Sequence, residues 1–290
     1  MFSLIFARRL SIDYKYFDEF EYWFKLNGDQ TYDVLNKETR EVLGKYDPDS
    51  VKFIVSSDKD VSKMQEDFIK FCDRPEYVVG HSVKVNGVTA ESAQESYESL
   101  ILGCIMIRAY NAGRNPDKQD DYINRVISWL NTTSFYNDPA STMFHESFKH
   151  GLLYHTLRVY NKMVELINIP TFNGVDIQSA TLVCLCHDWC KIGLYESFSR
   201  NVKNDKTGRW EKVPSYRRGT FPHPLGHGVS SAFMANKMFK LSEEEFAAIR
   251  WHMGHYNVSD NEVNEFQQCN EDMPLVHLLQ FSDQLSIVNY

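Results

Sequence analysis

The sequence predicts a mainly α fold with a small α+β or irregular N-terminal extension. Three observations lead there. From Tyr122 onward, apolar residues recur at helical spacing through most of the chain. Across 290 residues, 43% hydrophobic and 14% aromatic content supplies enough apolar surface for a sizeable core. Only the stretch before Ala90 mixes β-branched runs, an Asn-Gly turn and short helical patterns.

In chain order, "FDEFEYWFKL" is aromatic-rich and reads as a short helix, and "VKFIVSS" reads as a strand from its β-branched content. "VSKMQEDFIKFC" has Met64, Phe68 and Phe71 at helical spacing, and "VKVNGVTA" places an Asn-Gly turn between β-prone pieces. A helix follows from Ala90 to Tyr110, with Leu100, Cys104 and Ile107 along one stripe. "NAGRNPDKQDD" breaks the pattern and sets a boundary: an extension over 1–115 and a helical domain over 116–290.

In that domain, "YINRVISWL" points Ile123, Val126, Ile127 and Leu130 inward. "HGLLYHTLRVYNKMVELI" does the same with Leu152, Val159, Met163 and either Leu166 or Ile167. "DIQSATLVCLCHD" is short, apolar and central, and "SSAFMANKMF" is a further helix. "LSEEEFAAIRWHM" opens with a capping box, Ser242 with Glu245, and buries Phe246, Ile249 and Met253. The last helix starts near Pro274, a residue suited to a first turn. "RNVKNDKTGRWEKVPSY" departs from the helical pattern and reads as a polar hairpin.

A formal net charge of −8 argues against a wide footprint on duplex nucleic acid, since the main basic cluster is the short run from Arg200 to Arg218. No apolar run approaches the roughly 20 residues of a membrane helix. "MFSLIFARRLS" has its apolar residues before its arginines, the wrong order for a secretory signal. Six scattered cysteines do not make a disulfide framework, so a cytoplasmic setting is expected. Cys184, Cys186 and Cys190 lack zinc-module spacing and read as small buried hydrophobes.

Several ionisable residues fall on the inward faces. His155 lies on the stripe Leu152, His155, Val159, and His187-Asp188 ends the apolar run "ATLVCLC". His252 follows Ile249 by three, and Asp283 continues Val276 and Leu279. Each unpaired buried charge costs on the order of several kcal/mol, and a single divalent cation removes that cost for all of them.

The order His155, His187-Asp188, Asp283 resembles the H…HD…D pattern of the HD-domain superfamily of metal-dependent phosphohydrolases. "WLNTTSFYNDPASTMFHESFKHGLLYHTLRVY", "HDWCKIGLYE", "RNVKNDKTGRWEKVPSY", "GHGVSS" and "AIRWHMG" are similar to segments of phage and bacterial HD hydrolases, over about Asn124 to Ser286. The resemblance implies an HD-domain helical bundle with His155, His187, Asp188 and Asp283 as ligands to one metal. Two-metal members add histidines in the slots of His227 and His252, with Asp188 bridging. The expected cofactor is one or two divalent ions drawn from Mn, Fe, Mg, Co, Ni or Zn. His223 is expected to line the mouth or to replace His227, and His255, three residues after His252, to have a structural role rather than one behind the ligands. His145 and His150 are expected at the surface or behind the ligands, and His81 and His277 in structural roles.

Such a centre acidifies a bound water and polarises a phosphoryl oxygen. Lys191, one turn beyond the HD pair, is expected to act with Asp188 in catalysis by offsetting phosphoryl charge. Arg200, Lys203, Lys212, Arg217 and Arg218 are expected to hold phosphates, and Tyr216 or Trp210 to stack on a base. The expected function is hydrolysis of a phosphoester, of a nucleotide or a cyclic (di)nucleotide, in a bacterial or phage-infected cytoplasm. The resemblance also admits an HD-type 3′-to-5′ exoribonuclease, a di-iron oxygenase on the same ligand set, or a non-catalytic nucleotide sensor.

Overall fold

A computed structural model of the chain describes residues 22–26, 32–36, 39, 41–47, 52–55, 61–64, 66–67, 79–113, 120–143, 146–220 and 224–287. Phe68, Phe71, Cys72, His145 and His223 lie outside these, as does the start of "FDEFEYWFKL". The described residues are mainly helical, with two antiparallel sheets.

Strands β1 (Tyr22–Leu26), β2 (Tyr32–Asn36), β3 (Val42–Asp47) and β4 (Lys52–Val55) form a meander in that order. The helix expected in "FDEFEYWFKL" is therefore corrected, because Tyr22–Leu26 is a strand registered against β2. Cross-strand pairing overrides a local pattern too short to nucleate a helix. Residues 61–64 and 66–67 are helical, and Asp67 accepts from the Tyr22 amide at 3.2 Å and from Lys63 at 2.8 Å. Asn86 and Gly87 form the expected turn without flanking strands.

The helices are α1 (Ala90–Asn111), α2 (Asp120–Thr132), α3 (Gly151–Leu166), α4 (Ile177–Cys186), α5 (His227–Phe239), α6 (Glu243–Trp251), α7 (Val263–Asp272) and α8 (Pro274–Ser286). Asp176 caps α4 by accepting from the Ser179 amide at 2.7 Å. Apolar residues on every side of α4 account for the burial of all its residues but Ser179. The Ser242–Glu245 capping box and Pro274 at the first turn of α8 are present. In α6 the inward face carries Glu245, Ala248, Ile249 and Trp251, whereas Phe246 and Met253 are only half-buried. The expected burial of those two is thus corrected: the face is rotated so that Glu245 meets Arg108 of α1. Ile167, not Leu166, is fully buried.

One core runs from Val79 to Leu279 without regard to the sequence break near residue 115. Tyr97 on α1 donates to the Leu185 carbonyl at 3.0 Å and accepts from Trp189 Nε1 at 3.0 Å. Residues assigned by sequence to the extension therefore anchor the His187-Asp188 segment. Strands β5 (Tyr195–Lys203) and β6 (Trp210–Arg218) form the expected hairpin, a two-stranded ribbon exposed along nearly all its length. No helix among the described residues is long and apolar enough to cross a membrane.

Candidate metal centre

Five segments aim ionisable side chains at one buried point. α3 supplies His155, the end of α4 supplies His187 and Asp188, and the start of α5 supplies His227. The end of α6 supplies His252, and α8 supplies Asp283. His155 Nε2 lies 3.4 Å from His187 Nε2, 3.4 Å from Asp188 Oδ2 and 3.2 Å from Asp283 Oδ1. Asp188 Oδ2 is also 3.3 Å from His187 Nε2 and 2.6 Å from Lys191 Nζ. Its second oxygen, Oδ1, lies 2.9 Å from His227 Nε2 and 3.8 Å from His252 Nε2. Asp188 thus faces two sets of imidazoles with its two oxygens.

Helix ends explain why the rings point as they do. The last carbonyls of a helix lack intrahelical partners. His187 and His252 each follow the last turn of a helix and bond back to it. His187 Nδ1 donates to Cys184 O at 2.8 Å, and His252 Nδ1 donates to Ile249 O at 2.7 Å. A carbonyl only accepts, so both rings carry a proton on Nδ1 and turn Nε2 toward the centre. His155 is oriented by a carboxylate instead, with Nδ1 3.1 Å from Glu146 Oε2. Arg158 donates to the other oxygen of Glu146 at 2.9 Å. His227 has its Nδ1 3.3 Å from Cys190 Sγ.

His252 Nε2 supplies the test of whether a metal fits. It is buried, has no hydrogen-bond partner, and faces a carboxylate oxygen. A buried lone pair opposed to an anionic oxygen is unfavourable, and a cation held by both removes that cost. Single donor atoms of His155, His187 and Asp283 lie within 4.8 Å of one another, as do those of Asp188, Cys190 and His227. Imidazole nitrogens and carboxylate oxygens in this mixture suit a divalent first-row ion or magnesium.

Burial and mutual contact shift these groups strongly. Burial opposes ionisation of Asp188, but Lys191, His187 and His155 outweigh it and hold the carboxyl well below its usual range. Asp283 is held down against burial by His155, then His187. Burial also disfavours charged His155, yet Asp188, Asp283 and Glu146 raise it well above the ordinary histidine value. His252 goes the other way: burial, then His187 and His227, push it to about 3, so it stays neutral. For His227, Cys190 and Asp188 overcome burial and raise it to about 9. A raised histidine contributes stability fully below its unfolded value near 6.5 and loses it as pH climbs through about 9. Chelator-treated protein should accordingly melt at progressively lower denaturant concentration across that window. A flat profile would mean that protonated His227 does not stabilise the fold.

Glu146 was not among the expected site residues, and no local signal marks it, since its contact depends on a loop return. Its backbone is left-handed at φ 52°, and its carbonyl would lie 2.0 Å from a Cβ on Gly151. That close approach brings Glu146 under α3, behind His155. A carboxylate behind a metal-binding histidine fixes its tautomer and raises its basicity. Glu146→Gln is expected to lower metal affinity by roughly ten- to a hundredfold in a competitive chelator titration. Unchanged affinity would detach Glu146 from the centre. Cys190 is the other omission. It is buried as expected, and its Sγ also meets His227 Nδ1; Cys104, Cys184 and Cys186 are buried thiols whose ionisation burial suppresses.

A cleft of about 650 Å³ opens beside the cluster, lined among others by Lys191, Tyr195, Arg218, His227, Arg250 and Tyr256. Of the expected substrate-binding residues, Arg218 lines this cleft. Arg217 lies on the opposite ribbon face, paired with Glu196 at 2.8 Å. Arg200 shares that opposite face. Lys203 sits at the far end of the ribbon, and Tyr216 is half-buried near its base. His255 is exposed and packs on Phe266 with ring centroids 4.6 Å apart. No known protein family, curated protein or solved structure matches the chain.

Proposed function

We propose that the chain is an HD-type metal-dependent phosphohydrolase whose helical bundle holds one or two divalent ions on His155, His187, Asp188, His227, His252 and Asp283. The substrate is a phosphoester of a nucleotide. The observation that carries this reading is the orphaned Nε2 of His252, buried and facing Asp188 beside a cluster of imidazoles and carboxylates. A bound divalent ion supplies an acidified water and a Lewis acid for the phosphoryl group.

The chain's own residues do the rest. Asp188 offers an oxygen to each set of imidazoles, and the Nδ1 bonds of His187 and His252 keep both rings from rotating away. Lys191 borders the cleft with its ammonium on Asp188 Oδ2, and burial is overcome by Asp188 and Tyr195 so that it stays charged. From there it can donate to a phosphoryl oxygen as negative charge grows. Arg218 supplies a second cation at the same cleft. Five described cysteines are free thiols, which suits the reducing cytoplasm where we place the enzyme.

The test is metal analysis of purified protein, then turnover of a p-nitrophenyl phosphodiester and a nucleotide panel after reconstitution with each ion. Metal-dependent phosphate or nucleotide release supports the reading. Full metal loading with no hydrolysis of any member would overturn it. Lys191→Ala is expected to retain metal while turnover falls by roughly a hundred- to a thousandfold. Loss of bound metal in that variant would instead make Lys191 a partner required to hold Asp188.

A further inference from the structure

The β5–β6 ribbon sorts its side chains by charge. Cross-strand pairs run from Tyr195↔Arg218 to Lys203↔Trp210, and residues paired directly share a face while neighbours along a strand alternate. The face that begins with Tyr195 and Arg218 at the cleft continues through Tyr216, Lys212, Lys203 and Trp210. It carries three cations and three aromatic rings and no carboxylate. Both ribbon carboxylates, Glu196 and Glu211, fall on the other face, where Glu196 binds Arg217 and Glu211 accepts from Asn204. Lys203 and Lys212 take part in no ion pair among the described residues. Trp210 is 70% exposed, an unusual position for the largest apolar side chain.

We infer that this face binds single-stranded nucleic acid and leads one end of it into the cleft. Phosphates would meet Lys203, Lys212 and Arg218, and unstacked bases would lie on Tyr216 and Trp210. Paired bases keep their faces stacked inside a duplex and cannot use these rings, so the fit is to a single strand. Eight residue steps at about 3.3 Å give a track of roughly 26 Å, several nucleotides long. The net charge of −8 repels polyanions elsewhere and confines binding to this strip. Delivery of a strand end to the metal centre rests on the phosphohydrolase reading, whereas binding to the ribbon does not.

The experiment is fluorescence anisotropy of a short labelled oligouridylate and a matching oligothymidylate, with intact protein held in chelator. Both are expected to bind with salt-dependent affinity; a preference for either identifies RNA or DNA as the better strand. The double variant Lys203→Ala/Lys212→Ala should weaken binding by about tenfold or more and reduce the salt slope by about 1.4. Trp210→Ala should weaken it by roughly five- to a hundredfold. Arg200→Ala, on the opposite face, should leave affinity unchanged. All these side chains are exposed, so circular dichroism should match that of the parent. Absence of binding, equal loss from Arg200→Ala, or displacement by polyglutamate as readily as by oligonucleotide would overturn the inference. Because no turnover is involved, these results stand apart from whether the centre hydrolyses phosphoesters.

Discussion

Asp188→Ala is expected to reduce bound metal to background and turnover by about a thousandfold or more. The expectation follows from the number of partners that one carboxylate serves. Oδ2 meets His155, His187 and Lys191, and Oδ1 meets His227 and approaches His252. Removing it leaves Lys191 and the raised His155 and His227 without their shared anion. Breaking a buried charge set in this way costs about 3–5 kcal/mol, so the alanine variant should also unfold earlier. Asp188→Asn separates the two effects. It keeps the shape and one acceptor oxygen but removes the charge, so its helical circular dichroism should persist while metal and activity are lost. Normal turnover in a well-folded Asp188→Asn protein would end the assignment.

Gly228→Ala should have the second largest effect, on packing rather than charge. Gly228 follows His227 in the first turn of α5, where a Cβ would lie 2.0 Å from the Arg250 carbonyl oxygen and 2.7 Å from its carbon. Backbone atoms cannot swing aside as a flexible side chain can, so α5 and α6 must separate. Overpacking of this kind costs roughly 3 kcal/mol, or about 6–12 °C in Tm for a domain of this size. The separation also moves His227 away from His252, whose rings now stand 5.1 Å apart. Metal affinity should therefore fall with stability. Gly208→Ala is the control, since Gly208 has a left-handed φ of 70° but open space around it. That change carries only the backbone cost of about 1–2 kcal/mol. Equal melting shifts for the two variants would show that helix approach at Gly228 is not limiting.

The sequence by itself determined the elements whose signal is local. Helices α1, α3, α4, α6 and α8 were legible because periodicity, the Ser242–Glu245 box and Pro274 act within a few residues. The hairpin was legible from its polar, turn-bearing centre. The same periodicity placed His155, His252 and Asp283 inward, because a helix face is fixed once its stripe is known.

Only the tertiary structure decided what depends on chain segments meeting. Tyr22–Leu26 became a strand because β2 lies beside it, not because of its own pattern. α1 joined the core across an apparent boundary, since a Gly- and Pro-rich stretch interrupts a helix without interrupting packing. Glu146 and Cys190 reached their histidines through a loop return and a helix crossing that leave no mark at fixed spacing. The separation of Arg217 and Arg200 from Lys203, Lys212 and Arg218 required the ribbon's register, because a shift of one residue exchanges the two faces. Local chemistry sets which way a side chain points along its own element. Which other side chains it meets is set by the approach of distant elements, and that is decided by the summed packing of the whole core.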